Sequence, residues 1–160
     1  MIKLSESPRI LIVESRYYDD IADNLLAGTR TVLDEHQCHY DVAEAPGALE
    51  IPAVIKYAIR SLAFNINMER YDGFIALGCV IRGETGHYDI VAEQSASGLM
   101  QLSLQYSLAV GNGILTVDTK QQAEVRADPS QKNKGGEAAT AVLKMLVNKE
   151  KFSLYPRLRK

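Results

Sequence analysis

The 160-residue sequence has few of the features that mark specialised classes of protein. It contains only two cysteines, Cys38 and Cys79, and their spacing matches no metal-binding motif. This scarcity favours a reduced, cytoplasmic protein over a disulfide-bonded one. The opening residues MIKLSESPR lack the apolar core of a signal peptide, and no apolar stretch approaches the length of a membrane span. We therefore expect neither secretion nor membrane insertion.

The chain also lacks a strong charge bias and any low-complexity segment. Its formal net charge is −2, which gives no general attraction to nucleic acid or anionic membranes. Basic residues collect in the C-terminal tail 153–160, but without an aromatic platform they are more typical of a solvated end than of a nucleic-acid patch. No repeat or linker divides the chain, so we expect one domain over residues 1–160.

Four apolar runs predict β-strands. Residues 9–14 form a β-branched run, and residues 40–45 form a weaker one that stops at a Pro-Gly pair. Residues 74–81 are apolar almost without interruption, which is typical of a central strand in a parallel sheet. A short run at residues 114–117 completes the set.

Helical spacing of apolar residues fills the gaps between these runs. Pro52 suits the first turn of a helix, and Thr119 with Gln122 reads as a capping box. The predicted helices span residues 20–36, 51–62, 88–108 and 119–126, and a last one is marked by Ala138, Val142, Met145 and Leu146. This alternation predicts an α/β protein, with a four-stranded parallel sheet covered by helices on both faces.

Ligands in open α/β sheets gather at the carboxyl ends of the strands. The segment RGETGHYD, residues 82–89, follows the central strand and is the strongest candidate. Gly83 and Gly86 permit close backbone approach or positive φ, and the following helix start can bind an anion. Thr85 adds a hydroxyl, whereas Glu84 would repel a phosphate, so we expect its side chain to point away. On spacing alone, a plain strand-to-helix turn explains these residues equally well.

The other candidates also have two interpretations each. His87 suits proton transfer near neutral pH, although its type alone favours a capping or packing role. Glu50 could complement a helix dipole or bind a polyhydroxylated ligand. Tyr17 and Tyr18 could offer a stacking face for a planar ring or pack in the core. The basic residues around Arg126 and Lys134 could bind an anion or remain solvated.

Three of these stretches together resemble the signatures of the lumazine synthase family. PGALEIP, residues 46–52, is similar to PGA-aromatic-EIP, with Leu49 in the aromatic position. GCVIRGETGHYD, residues 78–89, is similar to G-x-VIRG-x-T-x-H-[FY]-[DE], and NKG, residues 133–135, to a third signature. The resemblance covers a core of about residues 9–152 and leaves the tail outside it.

This resemblance implies a fold and an activity. Family subunits are flavodoxin-like three-layer α/β/α sandwiches that form homopentamers, with active sites between adjacent subunits; some pentamers pack into capsids. They condense 5-amino-6-(D-ribitylamino)uracil with 3,4-dihydroxy-2-butanone 4-phosphate, giving 6,7-dimethyl-8-ribityllumazine, phosphate and water, the penultimate step of riboflavin biosynthesis. No metal or organic cofactor takes part. The expected function is therefore this transferase activity, and the alternative is a non-catalytic flavin- or lumazine-binding paralogue.

The resemblance also implies roles for individual residues. His87 aligns with the proposed general acid/base. The implied substrate-binding residues are Tyr17, Ala48, Leu49, Glu50, Val80, Ile81, Asn112 and Lys134, and the implied phosphate-binding residues are Gly83, Glu84, Thr85 and Arg126. Arg126 would come from the neighbouring subunit. Asn112 departs from the aromatic residue of many members, and Pro129 lies in a turn that is glycine-rich in capsid-forming members, which favours a free pentamer.

Overall fold

The structure is a computed structural model that describes residues 2–65 and 70–156. The end of the predicted basic tail, residues 157–160, lies outside the described residues. The strands are β1 (Arg9–Ser15), β2 (His39–Ala45), β3 (Gly73–Ile81) and β4 (Ala109–Val117). The helices are α1 (Asp19–Glu35), α2 (Ile51–Ser61), α3 (His87–Tyr106), α4 (Lys120–Ala127) and α5 (Lys134–Lys151), and a short 3₁₀ helix (Ala48–Glu50) precedes α2.

Within the described residues, the strands form one four-stranded sheet in the order β2-β1-β3-β4, and every pairing is parallel. β3 lies between β1 and β4, as its uninterrupted apolar sequence predicted. A strand that is covered on both faces has no side that can be polar, which is why β3 does not alternate. This strand order is that of flavodoxin-like sheets.

Helices cover both faces of the sheet, so the predicted three-layer α/β/α sandwich is confirmed. α1, α4 and α5 pack on one face, and α2 with α3 on the other. The first core includes Ile12, Leu25, Ile75, Val142 and Leu146, and the second includes Val13, Ile55, Ala76 and Leu99. None of the helices in the described parts of the chain is long and apolar enough to cross a membrane.

The fourth strand is longer than predicted, since it begins at Ala109 and not at residue 114. Gly111 and Gly113 lie inside the strand. A Cβ at Gly111 would be 2.2 Å from the backbone oxygen of Ala138 in α5. The glycine therefore lets the helix approach the sheet closely, which is a packing reason and not a turn.

Two details of the helices also differ from the sequence prediction. Met145 is 42% exposed, and Leu143 takes the fully buried place on α5. At the start of α4, Thr119 Oγ1 accepts from the Gln122 N–H at 3.2 Å, as predicted. The Gln122 side chain reaches back to the N–H of Asp118 at 2.9 Å, one residue before the position that a capping box uses.

Candidate active site

The segments that follow β1, β2 and β3 enclose a cavity of about 470 Å³ at the carboxyl edge of the sheet. The cavity lies beside the point where the strand order reverses, between β1 and β3. This is the place where α/β sheets bind ligands, because loops from neighbouring strands diverge there. The predicted site residues that line the cavity are Tyr17, Ala48, Leu49, Glu50, Val80, Ile81, Gly83, Thr85 and His87.

Further residues line the cavity without having been assigned to the site from the sequence. They are Ser15, Tyr18, Pro46, Gly47, Tyr88 and Val91. Ser15 is a buried polar residue at the last position of β1, and its polarity at a strand end was a usable signal. Tyr88 and Val91 are three residues apart on α3, so helical spacing would have placed them on one side.

The two tyrosines that follow β1, Tyr17 and Tyr18, lie in different surroundings. Arg16 holds the segment to α1 through ion pairs with Asp19 at 3.3 Å and Asp23 at 2.6 Å, and it also pairs with Glu14 at 3.2 Å. Tyr18 packs against the core, and burial raises the pKa of its hydroxyl. Tyr17 is 75% exposed and lines the cavity.

The exit of β2 brings a carboxylate to the cavity. Ala48 is buried close to Gly78 of β3, where a Cβ would lie 3.7 Å from the Ala48 Cβ. Glu50 precedes α2 without a side-chain capping bond and lines the cavity. A Cβ at Gly47 would be 2.9 Å from Glu50 Oε2, so the glycine makes room for the carboxylate over the turn. The Glu50 carboxylate therefore lines the cavity and does not serve as a side-chain cap.

The loop after β3, residues 82–86, carries glycines that the fold itself does not require. Neither Gly83 nor Gly86 has positive φ, so of the two uses that glycine permits, positive φ is not the one found here. A Cβ at either position would meet nothing within 4 Å. Among the described residues, no acceptor binds the N–H groups of Gly83, Glu84 or Thr85. The loop therefore offers backbone donors beside open space, which is what an anion needs.

His87 begins α3 and is exposed at the cavity. Its backbone N–H lies 3.4 Å from Thr85 Oγ1, a long contact in the turn before the helix, and α3 has no side-chain cap. No hydrogen bond to the His87 ring is found within the described ranges. Neither a capping nor a packing role accounts for this side chain. The nearby Cys79 is not an alternative reactive group, because burial raises the pKa of its thiol to about 11.

Four predicted site residues do not line this cavity. Glu84 is exposed outside it, in agreement with the expectation that its side chain points away. Asn112 accepts from the Ile114 N–H at 3.0 Å on the edge strand β4. Arg126 donates to the Gln122 carbonyl at 3.1 Å, and Lys134 pairs with Glu137 at 2.5 Å. A single chain does not bring the last three to the ligand space.

The cavity lies at the switch point of a flavodoxin-like sheet and is lined by aromatic, carboxylate and histidine side chains and by a loop with open backbone donors. These features define the class as an α/β protein that binds small molecules. The family model described as 6,7-dimethyl-8-ribityllumazine synthase matches residues 7–150. Proteins of that name from Agrobacterium fabrum and Bartonella bacilliformis are 54% and 49% identical, covering 91% and 94% of this chain and 97% and 95% of their own. The chain belongs to the 6,7-dimethyl-8-ribityllumazine synthase family.

Proposed function

We propose that this protein condenses 5-amino-6-(D-ribitylamino)uracil with 3,4-dihydroxy-2-butanone 4-phosphate, giving 6,7-dimethyl-8-ribityllumazine, phosphate and water. The observation that carries the proposal is one cavity lined by Tyr17, Glu50, the Gly83–Thr85 loop and His87. Its volume of about 470 Å³ is in the range of small-molecule sites. The family membership and the names of the relatives support the same reaction.

The pyrimidine substrate binds between the exits of β1 and β2. Its ring stacks on Tyr17, whose exposed ring is the aromatic face of the cavity. The carboxylate of Glu50 accepts hydrogen bonds from ribityl hydroxyls, and the backbone of Ala48 and Leu49 binds beside it. Val80 and the following Ile81 contact the pyrimidine edge from the end of β3, since both line the cavity.

The phosphate of the second substrate binds at the loop after β3. The N–H groups of Gly83, Glu84 and Thr85 are its donors, at the N-terminus of α3, where the helix dipole favours an anion. Glu84 contributes its backbone while its side chain stays outside the cavity. Arg126 of the neighbouring subunit completes the charge compensation.

His87 moves protons between the substrates. The pyrimidine amine must lose a proton as it attacks the ketone, and water and phosphate must leave later. An exposed imidazole at the cavity wall suits these transfers, because an imidazole can both donate and accept a proton. Backbone donors that bind the phosphate also stabilise it as it departs. Holding both substrates in one cavity supplies part of the acceleration.

The functional particle is a free homopentamer with active sites between adjacent subunits. Asn112, Arg126 and Lys134 are assigned to the site but do not line the cavity of one chain, which supports completion by a neighbour. α3 exposes three large apolar side chains, Ile90, Met100 and Leu104, which contact with a neighbouring subunit would cover. The chain acts as one domain with its core at about residues 9–152. Its two unpaired cysteines support a cytoplasmic location.

Incubation of the purified protein with both substrates tests this function. We expect lumazine absorbance to rise only when both substrates are present, and to rise faster than in the protein-free mixture. Binding of a flavin without product formation would favour the non-catalytic paralogue instead.

A further inference from the structure

Arg82 connects the end of β3 to two neighbouring segments. Its guanidinium donates to both carboxylate oxygens of Asp89 in α3, at 3.0 and 3.3 Å, and to Asp118 after β4 at 3.2 Å. It also lies 4.0 Å from the centroid of the Tyr88 ring. Its backbone N–H donates to the Val117 carbonyl at 2.9 Å. One residue therefore ties the ends of two strands to the first turn of a helix.

The loop between these anchors has little else to fix its path. The N–H groups of Gly83, Glu84 and Thr85 find no acceptor among the described residues, and the glycines contribute no side-chain packing. The contact between the His87 N–H and Thr85 Oγ1, at 3.4 Å, is long for a hydrogen bond. The positions of the two loop ends thus determine its shape, and Arg82 joins those ends directly through Asp89.

Arg82 also balances charge beside the loop. Asp89 and Asp118 would each repel a phosphate bound at Gly83–Thr85. A planar guanidinium pairs with a carboxylate through two parallel hydrogen bonds, which fixes both orientation and charge. Lysine at the same place would keep the charge but would lose this fork.

We propose that Arg82 is a positioning residue that holds the Gly83–Thr85 backbone in its anion-binding shape through Asp89 and Asp118, without contacting substrate. This inference rests on the proposed function, in which that loop binds the phosphate. The Arg82 side chain is 44% exposed, so the pairs contribute little to global stability. The ion pairs instead fix the conformation of the Gly83–Thr85 loop.

Arg82→Gln and Arg82→Lys test the role, with Arg9→Gln as a matched control. Arg9 also pairs with an aspartate, Asp41, at 2.8 Å and lies 5.8 Å from a tyrosine ring, but it stands at the start of β1, away from the cavity. We expect Arg82→Gln to raise the dissociation constant of inorganic phosphate and the KM of the sugar phosphate by about fivefold, the equivalent of about 1 kcal/mol. The KM of the pyrimidine and the melting temperature stay unchanged.

Arg82→Lys should recover part of the loss, and Arg9→Gln should leave phosphate binding as in the unmodified protein. A fall in melting temperature with equal rises in both KM values would show a structural role and overturn the proposal. An unchanged phosphate affinity in Arg82→Gln would overturn it as well.

Calorimetric titration of the protein with inorganic phosphate alone separates this inference from the proposed function. If the unmodified protein binds phosphate but forms no lumazine, the proposed function fails while the Arg82 variants still decide the inference. If the unmodified protein binds no phosphate, the role of Arg82 is overturned even where lumazine forms.

Discussion

Two histidines of this chain, His36 and His87, lie in contrasting surroundings. His36 Nδ1 donates to the Val32 carbonyl at 2.8 Å, and its Nε2 accepts from the Ile2 N–H at 3.1 Å. Both ring nitrogens are used, so the ring fastens the N-terminal segment to the end of α1. The exposed ring of His87 faces no such partners within the described residues and stands at the cavity. This contrast supports the proposal that His87, and not His36, transfers protons.

His87→Ala should lower kcat by at least about 100-fold, because general acid–base catalysis contributes that much in typical enzymes. Its free energy of unfolding should change by less than about 0.5 kcal/mol, as for other exposed residues. His36→Ala is the matched control, expected to lose about 1–2 kcal/mol of stability with kcat retained. Steady-state kinetics and urea unfolding measure both. Unchanged kinetics in His87→Ala would remove His87 from the mechanism.

Tyr17→Ala should raise the KM of the pyrimidine by about fivefold, since an aromatic pair contributes about 1 kcal/mol. Tyr17→Phe keeps the ring and should behave like the unmodified protein. Initial rates at varied concentrations of each substrate measure the effect. If only the KM of the sugar phosphate rose, Tyr17 would contact that substrate and not the pyrimidine, which would contradict the assignment.

Tyr155 gives the chain a pH-dependent stability. Its buried hydroxyl donates to the Glu6 carbonyl at 2.8 Å, and burial raises the pKa of Tyr155 above its ordinary value. Above about pH 10 the tyrosine of the unfolded chain loses its proton while the folded one keeps it. The unfolded state then binds fewer protons, so the free energy of unfolding falls as pH rises.

Tyr155→Phe should reduce the rate at which the free energy of unfolding decreases with pH, by up to about 1.4 kcal/mol per pH unit. Urea unfolding between about pH 9 and 11 measures the slope. Tyr57, which is 68% exposed, provides the control, because Tyr57→Phe removes a hydroxyl that water solvates in both states. Equal slopes in the unmodified protein and Tyr155→Phe would contradict the account.

At the scale of elements, apolar periodicity was sufficient for most of the fold. The uninterrupted β3 and the amphipathic α1 were predicted within one residue at each end. β4 was predicted five residues short, since residues 109–113 include two glycines, which weaken a strand unless another backbone packs against them, as α5 does at Gly111. Local sequence carries propensity, but it does not show which backbone will pack against a glycine.

The NKG motif, residues 133–135, also has a structural explanation that sequence could not provide. Asn133 has φ of 43° and caps α5 by accepting from the Gly136 N–H at 3.1 Å. A Cβ at Gly135 would lie 2.0 Å from the Leu25 carbonyl oxygen, so α5 meets α1 through this glycine. Two of the three motif residues therefore serve the fold, which leaves Lys134 as the candidate for a chemical role.

Gly135→Ala should destabilise the protein by about 3 kcal/mol, since the methyl group would force two backbones apart. Gly86→Ala is the matched control, because its Cβ meets nothing within 4 Å and its φ is negative. It should change the free energy of unfolding by less than about 0.5 kcal/mol. Urea unfolding of both variants measures the difference. Equal stabilities would show that α1 and α5 do not meet at Gly135.

At the scale of the whole molecule, the sequence predicted the edge of the sheet that carries the site, because parallel strands place their exits together. The residues gathered there from one chain followed from topology. The other three site residues, Asn112, Arg126 and Lys134, did not follow from the topology of one chain. They were assigned to the site by resemblance, and they lie outside the cavity. Periodicity within one chain carries no information about surfaces that meet a second copy.

Native mass spectrometry should give five times the chain mass of 17.7 kDa. Leu104→Asp, on α3, should dissociate the particle and abolish activity while circular dichroism stays unchanged, because Leu104 is 75% exposed in one chain. A megadalton particle would show a capsid, and an active monomer would show that one chain holds the complete site.

The central claim is that one cavity brings both substrates together for condensation. The most direct test measures lumazine and phosphate in the same reaction of the unmodified protein with both substrates. We predict equal molar amounts of the two products, formed faster than in the protein-free mixture. Phosphate release without lumazine, or no product above the protein-free rate, would contradict the account.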